Sequence, residues 1–126
     1  MIEQLDKSSG YMVGMKLSGR LEDHDFQQFV PSLEHTVETH QKARLLVEFE
    51  DFEGWDAQTP WNDMRVGLRY SRRVERMAVV GDHRCEPWME NVCKPFVTTQ
   101  VMFFQPAAID AAWTWLSQDE TVESGE

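Results

Sequence analysis

Apolar and polar residues first alternate along the chain with a period of two. Residues 1–6 form one such run. In 11–18, Tyr11, Val13, Met15 and Leu17 interleave with Met12, Gly14, Lys16 and Ser18. This pattern predicts two strands joined by a hairpin-type connection at Lys7-Ser8-Ser9-Gly10. The period then lengthens. Phe26, Phe29, Val30, Leu33 and Val37 recur at three and four, which predicts an amphipathic helix over 22–40. Glu22 and Asp23 suit its positive end, whereas Pro31 is an awkward interior residue that favours a kink. Leu45-Leu46-Val47 is a continuous apolar run within 43–49, as expected for a parallel strand covered on both faces. Residues 50–56 read as an acidic loop. Thr59-Pro60 supplies a cap and a first-turn proline, predicting a helix over 60–73. A strand follows at 74–80, then a short helix from Glu86-Pro87 to Cys93 and a last strand at 99–104. Pro106 opens a final helix, with Ile109, Ala112, Trp113 and Leu116 on one face, and 117–126 reads as a frayed acidic tail.

The predicted order is ββαβαβαβα, with five strands and four helices. Alternation of strands with helices implies an α/β fold with a mixed, mostly parallel sheet, right-handed crossovers and an antiparallel edge from the first hairpin. At 126 residues the chain amounts to one domain, able to bury a core without disulfides or metals. No signal-peptide pattern and no long apolar run is present, so the expected location is cytoplasmic, with any membrane contact peripheral at the inner face.

Charge narrows the partners. The formal net charge is −10, which argues against nucleic acid. It is unevenly spread: Arg65, Arg69, Arg72, Arg73 and Arg76 crowd one stretch against the single acid Glu75. In the helix expected over 60–73, Trp61, Met64 and Leu68 share a face beside the stripe of Arg65, Arg69, Arg72 and Arg73. An apolar face flanked by arginines suits an interfacial helix against anionic headgroups. The same spacing also suits a helix that packs Trp61 and Leu68 on the sheet. Trp88, Met89 and Val92 lie on the next short helix, which follows a neighbouring strand. The two helices would meet at the carboxyl edge of the sheet, where open α/β sheets bind ligands, though core packing uses the same residues.

Catalytic and metal signals are weak. Asp82-His83 and Cys85 place a thiol near an imidazole, but no oxyanion-hole motif accompanies them. Cys85 and Cys93 would stand about 12 Å apart along one helix, too far for a disulfide. His24, His35, His40 and His83 are scattered, without metal-ligand spacing, and no phosphate-binding glycine loop occurs. No cofactor is expected. The acids at 48, 50, 51, 53 and 56 lack the periodicity of a calcium loop and read as solvated charge.

Four stretches carry a family resemblance: SGRLEDHDFQQFVPSLE at 18–34, LLVEFEDFEGW at 45–55, RMAVVGD at 76–82 and AAIDAAWTWL at 107–116. In their order and spacing they resemble the SpoIIAA-like proteins, relatives of STAS and CRAL-TRIO (Sec14-type) domains. The resemblance implies helices able to move after the third and fourth strands, and a role in binding non-polar molecules or associating with membranes; members of the family are not established enzymes. It also departs from the STAS pattern. Where anti-sigma-factor antagonists carry a phosphorylatable Ser, this chain has Glu53-Gly54-Trp55-Asp56, which argues against a phospho-switch. The leading expectation is a non-enzymatic carrier or sensor of apolar small molecules or lipids. Its pocket would be lined by Trp61, Met64, Leu68, Trp88, Met89 and Val92, with the arginine stripe toward an anionic membrane. The alternatives are a STAS-type interaction module, open to homodimerisation, and an interfacially activated hydrolase using Cys85.

Overall fold

The computed structural model describes residues 1–5, 8, 10–55, 73–93, 96 and 99–118, with the backbone alone at 23, 26, 27, 30, 55, 91 and 92. Its strands are β1 (Ile2–Gln4), β2 (Met12–Leu21), β3 (Ala43–Trp55), β4 (Val74–Val80) and β5 (Gln100–Phe104). The α-helices among the described residues are three: α1 (Asp23–His40), α2 (Glu86–Cys93) and α3 (Ile109–Ser117). Short 3-10 turns at His83–Cys85 and Pro106–Ala108 lead into α2 and α3. The fold is thus the expected mixed α/β one, with three of the four expected helices among the described residues. The helix expected over 60–73 falls outside the described residues, apart from Arg73.

The five strands lie in the order β1-β2-β3-β4-β5, with β1 antiparallel to β2 and every other pair parallel. The continuous apolar runs explain why β3 and β4 are central. Leu45, Val47, Met77 and Val79 point into one core with Phe29 and Leu33 of α1 and Met89 of α2. Leu46, Ala78 and Val80 point the opposite way, onto Ala112, Trp113 and Leu116 of α3. Helices α1 and α2 therefore cover one face and α3 the other. Each fully buried aliphatic side chain contributes about 1.5–3 kcal/mol relative to exposure, so these two strands dominate the hydrophobic stabilisation.

Helix α1 starts where two acids replace the usual hydroxyl cap: the Glu22 backbone N–H donates to Asp25 Oδ2 at 2.8 Å. It ends at Gln41, whose positive φ of 64° closes the last turn through a 2.7 Å bond from its N–H to the Val37 carbonyl. Pro31 sits on the exposed side of a helix that continues through it to His40.

Residues 50–55 of the acidic segment are strand rather than the expected loop. Strand β3 runs on to Trp55, pairing with β2 through Gly19, Arg20 and Leu21. Between Phe49 and Phe52 the register with β2 shifts, and Asp51 there has φ of 50°; a second shift precedes Gly54, with φ of 112°. Such bulges break the period of two while keeping the strand paired, which is why alternation alone misses this extension.

Two arginines are drawn inside. Arg44 and Arg76 are 2 % and 1 % exposed. Arg44 Nη1 donates to the carbonyls of Leu116 and Gln118 at 2.6 and 2.5 Å, and its Nε to Glu75 Oε1 at 3.0 Å. Arg76 Nη1 donates to the Trp115 carbonyl at 2.7 Å, with its guanidinium 5.3 Å from that residue's ring centroid. The last turn of a helix presents unsatisfied carbonyls and partial negative charge, and two buried cations meet both needs here. Arg76 therefore does not belong to an exposed basic stretch.

Candidate functional site

The carboxyl ends of β3, β4 and β5 converge beside α2. Gly81 follows β4, and the Met89 sulfur lies 3.0 Å from where a Cβ on Gly81 would stand. On the β3 extension, the Trp88 ring sits against Gly54, with Cζ2 2.6 Å from the position of an added Cβ. Trp88 also meets Phe52 edge-on at 5.8 Å, and Phe52 meets Phe49 at 4.9 Å. Helix α2 is thus pinned through its apolar face. Trp88 and Met89, expected to line a pocket, pack against the same core, Met89 buried and Trp88 half-buried, and Met89 also borders the cavity between α2 and β5. Val92 lies on α2, but its side chain is outside the description. Trp61, Met64, Leu68, Arg65, Arg69 and Arg72 also fall outside the described residues. Arg73 is exposed and reaches Gln41 through two long contacts of 3.4 Å.

Two cavities open at this edge. The larger, about 410 Å³, lies between α2 and the end of β5, where Met89, Phe103 and Phe104 face Asp82, Glu86 and Glu90. The second, about 320 Å³, also includes Asp82 and lies along Glu48, Phe49, Glu50 and Phe52, with Arg84 and Cys85. Asp82 accepts from the Arg84 backbone N–H at 2.9 Å and from its Nη2 at 2.8 Å. The Arg84 side chain holds the Asp82 carboxyl below its ordinary range. Burial, with the Glu50 charge second, raises Glu48 above its own.

Both thiols have raised pKa values. Cys85 is buried, and desolvation followed by the Asp82 carboxylate raises its pKa, while His83 points to solvent. Cys93 donates to the Met89 carbonyl at 3.2 Å, and burial pushes it up to about 11. Both cysteines are free. The depressed pKa that activates a catalytic cysteine is the opposite of this arrangement. Among the described residues no cluster of three or more His, Cys, Asp or Glu is arranged to hold a metal ion. None of their helices is long and apolar enough to cross a membrane.

The feature that sequence reasoning did not single out is β5. It is the outermost strand on its side of the sheet, and Met102 and Phe103 are 45 % and 53 % exposed. The Gly81 N–H donates to the Phe104 carbonyl at 3.1 Å. Backbone direction alternates along a strand, so the N–H and C=O of Val101 and Phe103 face away from β4. The apolar run Val101-Met102-Phe103-Phe104 signals a strand, but nothing in it marks which strand will have a free edge.

The SpoIIAA-like family model matches residues 12–117, which takes in everything from β2 to the end of α3. The chain belongs to the SpoIIAA-like family. Among solved structures it is similar to an uncharacterized protein of the DUF3478 family with a SpoIIAA-like fold from Shewanella loihica PV-4. The two share 22 % identity with a TM-score of 0.71, and the match covers 92 % of each chain. That likeness shows the fold and adds nothing about activity. No curated protein matches this SpoIIAA-like chain.

Proposed function

We propose that the protein acts by binding rather than catalysis, as a STAS-type interaction module that docks partners on the free edge of β5. One observation carries this reading: Met102 and Phe103 are both exposed, on opposite faces of an edge strand whose outward backbone groups meet no other strand among the described residues. Proteins usually blunt such an edge with lysine, proline or a bulge. Residues 100–104, Gln-Val-Met-Phe-Phe, contain neither lysine nor proline, and their register with β4 is unbroken. An edge of this kind is suited to strand addition by a partner.

Selection from a displayed library of random twelve-residue peptides tests the reading. The expected binders slow amide exchange at Val101 and Phe103 and lose affinity for Phe103→Ser. Absence of binders, or binders that map elsewhere, overturns it.

The larger cavity favours a second reading, a carrier of apolar small molecules, because about 410 Å³ falls in the range of small-ligand pockets. Its three carboxylates suit a neutral or cationic apolar molecule better than an anionic lipid. Flotation with anionic and neutral vesicles tests the membrane association expected of the arginine-flanked helix. Salt-sensitive flotation with anionic vesicles would favour the membrane and displace the interaction module; no flotation is expected.

A further inference from the structure

Resting on the reading of β5 as a docking edge, we infer that its partner is an extended segment of alternating basic and apolar residues. This segment adds as a sixth strand and sets its cations against Glu86 and Glu90.

The backbone defines the mode. The outward N–H and C=O of Val101 and Phe103 offer a parallel or antiparallel ladder to a segment of about five residues, since β5 spans roughly 17 Å. The side chains define the faces. Val101 packs on the core beneath α1 and α2, which places Phe103 on that face too, whereas Phe104 packs with Trp115 on the α3 side, 6.0 Å between ring centroids. An added strand therefore projects every second residue toward α2.

There it meets Glu86 and Glu90. Four residues apart, they share one side of α2, separated by about 6 Å along the axis. Alternate residues of an added strand are about 6.7 Å apart, so two cations can address both carboxylates. Both glutamates are exposed and line the cavity that Phe103 also lines. Neither forms an ion pair among the described residues, whereas Asp82 is already held by Arg84 at 2.8 Å.

Charge also selects against other occupants. A second copy joined through β5 would bring two sets of these carboxylates together, on chains of net charge −10. Phosphate-bearing ligands are repelled in the same way.

The test uses the intact protein and four fluorescein-labelled eight-residue peptides, read by anisotropy at low and high salt. One alternates Lys and Val, one Glu and Val, one Lys and Ser, and one is the Lys–Val peptide N-methylated at every second residue. The Lys–Val peptide is expected to bind at least about tenfold more tightly than each of the others. Its affinity should fall about fivefold or more in Glu86→Gln/Glu90→Gln and on raising the salt.

Equal binding of the Lys–Val and Glu–Val peptides, lost only on N-methylation, overturns the basic partner and leaves β5 as the docking edge. Lys–Val binding that survives both N-methylation and Phe103→Ser is diffuse attraction to an acidic protein and overturns both claims. A dimer in sedimentation that Phe103→Ser dissolves, with no peptide bound, makes the occupant a second copy. No peptide bound and no dimer also removes both claims.

Discussion

Replacing Arg44 with methionine tests whether a buried guanidinium holds the C-terminal helix to the sheet. Methionine keeps much of the side-chain volume and removes every donor. The carbonyls of Leu116 and Gln118 then lose bonds of 2.6 and 2.5 Å, and Glu75 loses its 3.0 Å partner, retaining Lys42 at 3.9 Å. Exchanging a buried ion pair for apolar residues is often neutral, because both charges leave together. Here the acceptors are backbone carbonyls that cannot be removed, so the desolvation penalty stays. A charge-assisted hydrogen bond contributes about 1.5–3 kcal/mol, and Glu75 is partly wet, so the expected loss is about 3–5 kcal/mol.

Urea unfolding measures this directly. With a slope of about 2 kcal/mol per molar for a domain of this size, the midpoint should fall by roughly 1.5–2.5 M. Arg73→Met is the control. Arg73 is exposed and makes only 3.4 Å contacts, so its loss should stay within about 0.5 kcal/mol. Amide exchange in 109–117 should quicken in Arg44→Met more than exchange in α1. Equal midpoints for the two variants would refute the claim that Arg44 caps α3.

Three further outcomes follow from the same geometry. Gly54→Ala forces a side chain at φ of 112° and into the Trp88 ring, so it should cost about 1–3 kcal/mol in urea midpoint; a wild-type midpoint would mean that the bulge of β3 yields freely. With its thiol pushed up to about 11, Cys93 should react with iodoacetamide at pH 8 on the order of 100-fold more slowly than a free cysteine, as followed by mass spectrometry. Glu48 has its pKa raised by burial above the ordinary 4.5, so the folded state holds this proton more tightly than the unfolded one. That difference penalises folding once the pH exceeds the unfolded value. Glu48→Gln should therefore raise the urea midpoint at pH 7, and the gain should vanish below pH 4; a gain independent of pH would rule out titration as its cause.

Local patterns made the central strands legible. Residues 74–80 and 86–93 read correctly because a buried parallel strand needs a continuous apolar run and because Glu86-Pro87 marks a helix start. The β3 extension was not legible, since the register shifts around Asp51 and Gly54 erase the period that would announce it. Arg76 stood in the sequence only as one of five clustered arginines, and its burial was not legible there. Its role depends on Trp115, 39 residues away, and no local pattern encodes that contact. Trp88 and Met89 fitted both a pocket and a core from sequence. Their side chains approach Gly54 and Gly81, and Met89 borders the larger cavity as well, so the two uses are not exclusive.

The buried arginines also bear on the free edge. Arg44 and Arg76 are engaged with α3 on the face opposite α2, so the surface is more acidic than the −10 of the whole chain implies. The strand least protected by its own residues is β5; its exposed Phe103 end lies beside Glu86 and Glu90, whereas Arg76, opposite Gln100 at the other end, is buried. Mutual repulsion between copies then substitutes for the lysines and prolines that usually guard an edge. The guard discriminates by sign: it keeps away another acidic chain and leaves the ladder open to a basic one. Neutralising Glu86 and Glu90 should accordingly do two things at once, weakening a basic peptide and increasing self-association through β5. A loss of peptide affinity with no rise in sedimentation-detected dimer would separate the two roles and show that the edge is protected by something other than these carboxylates.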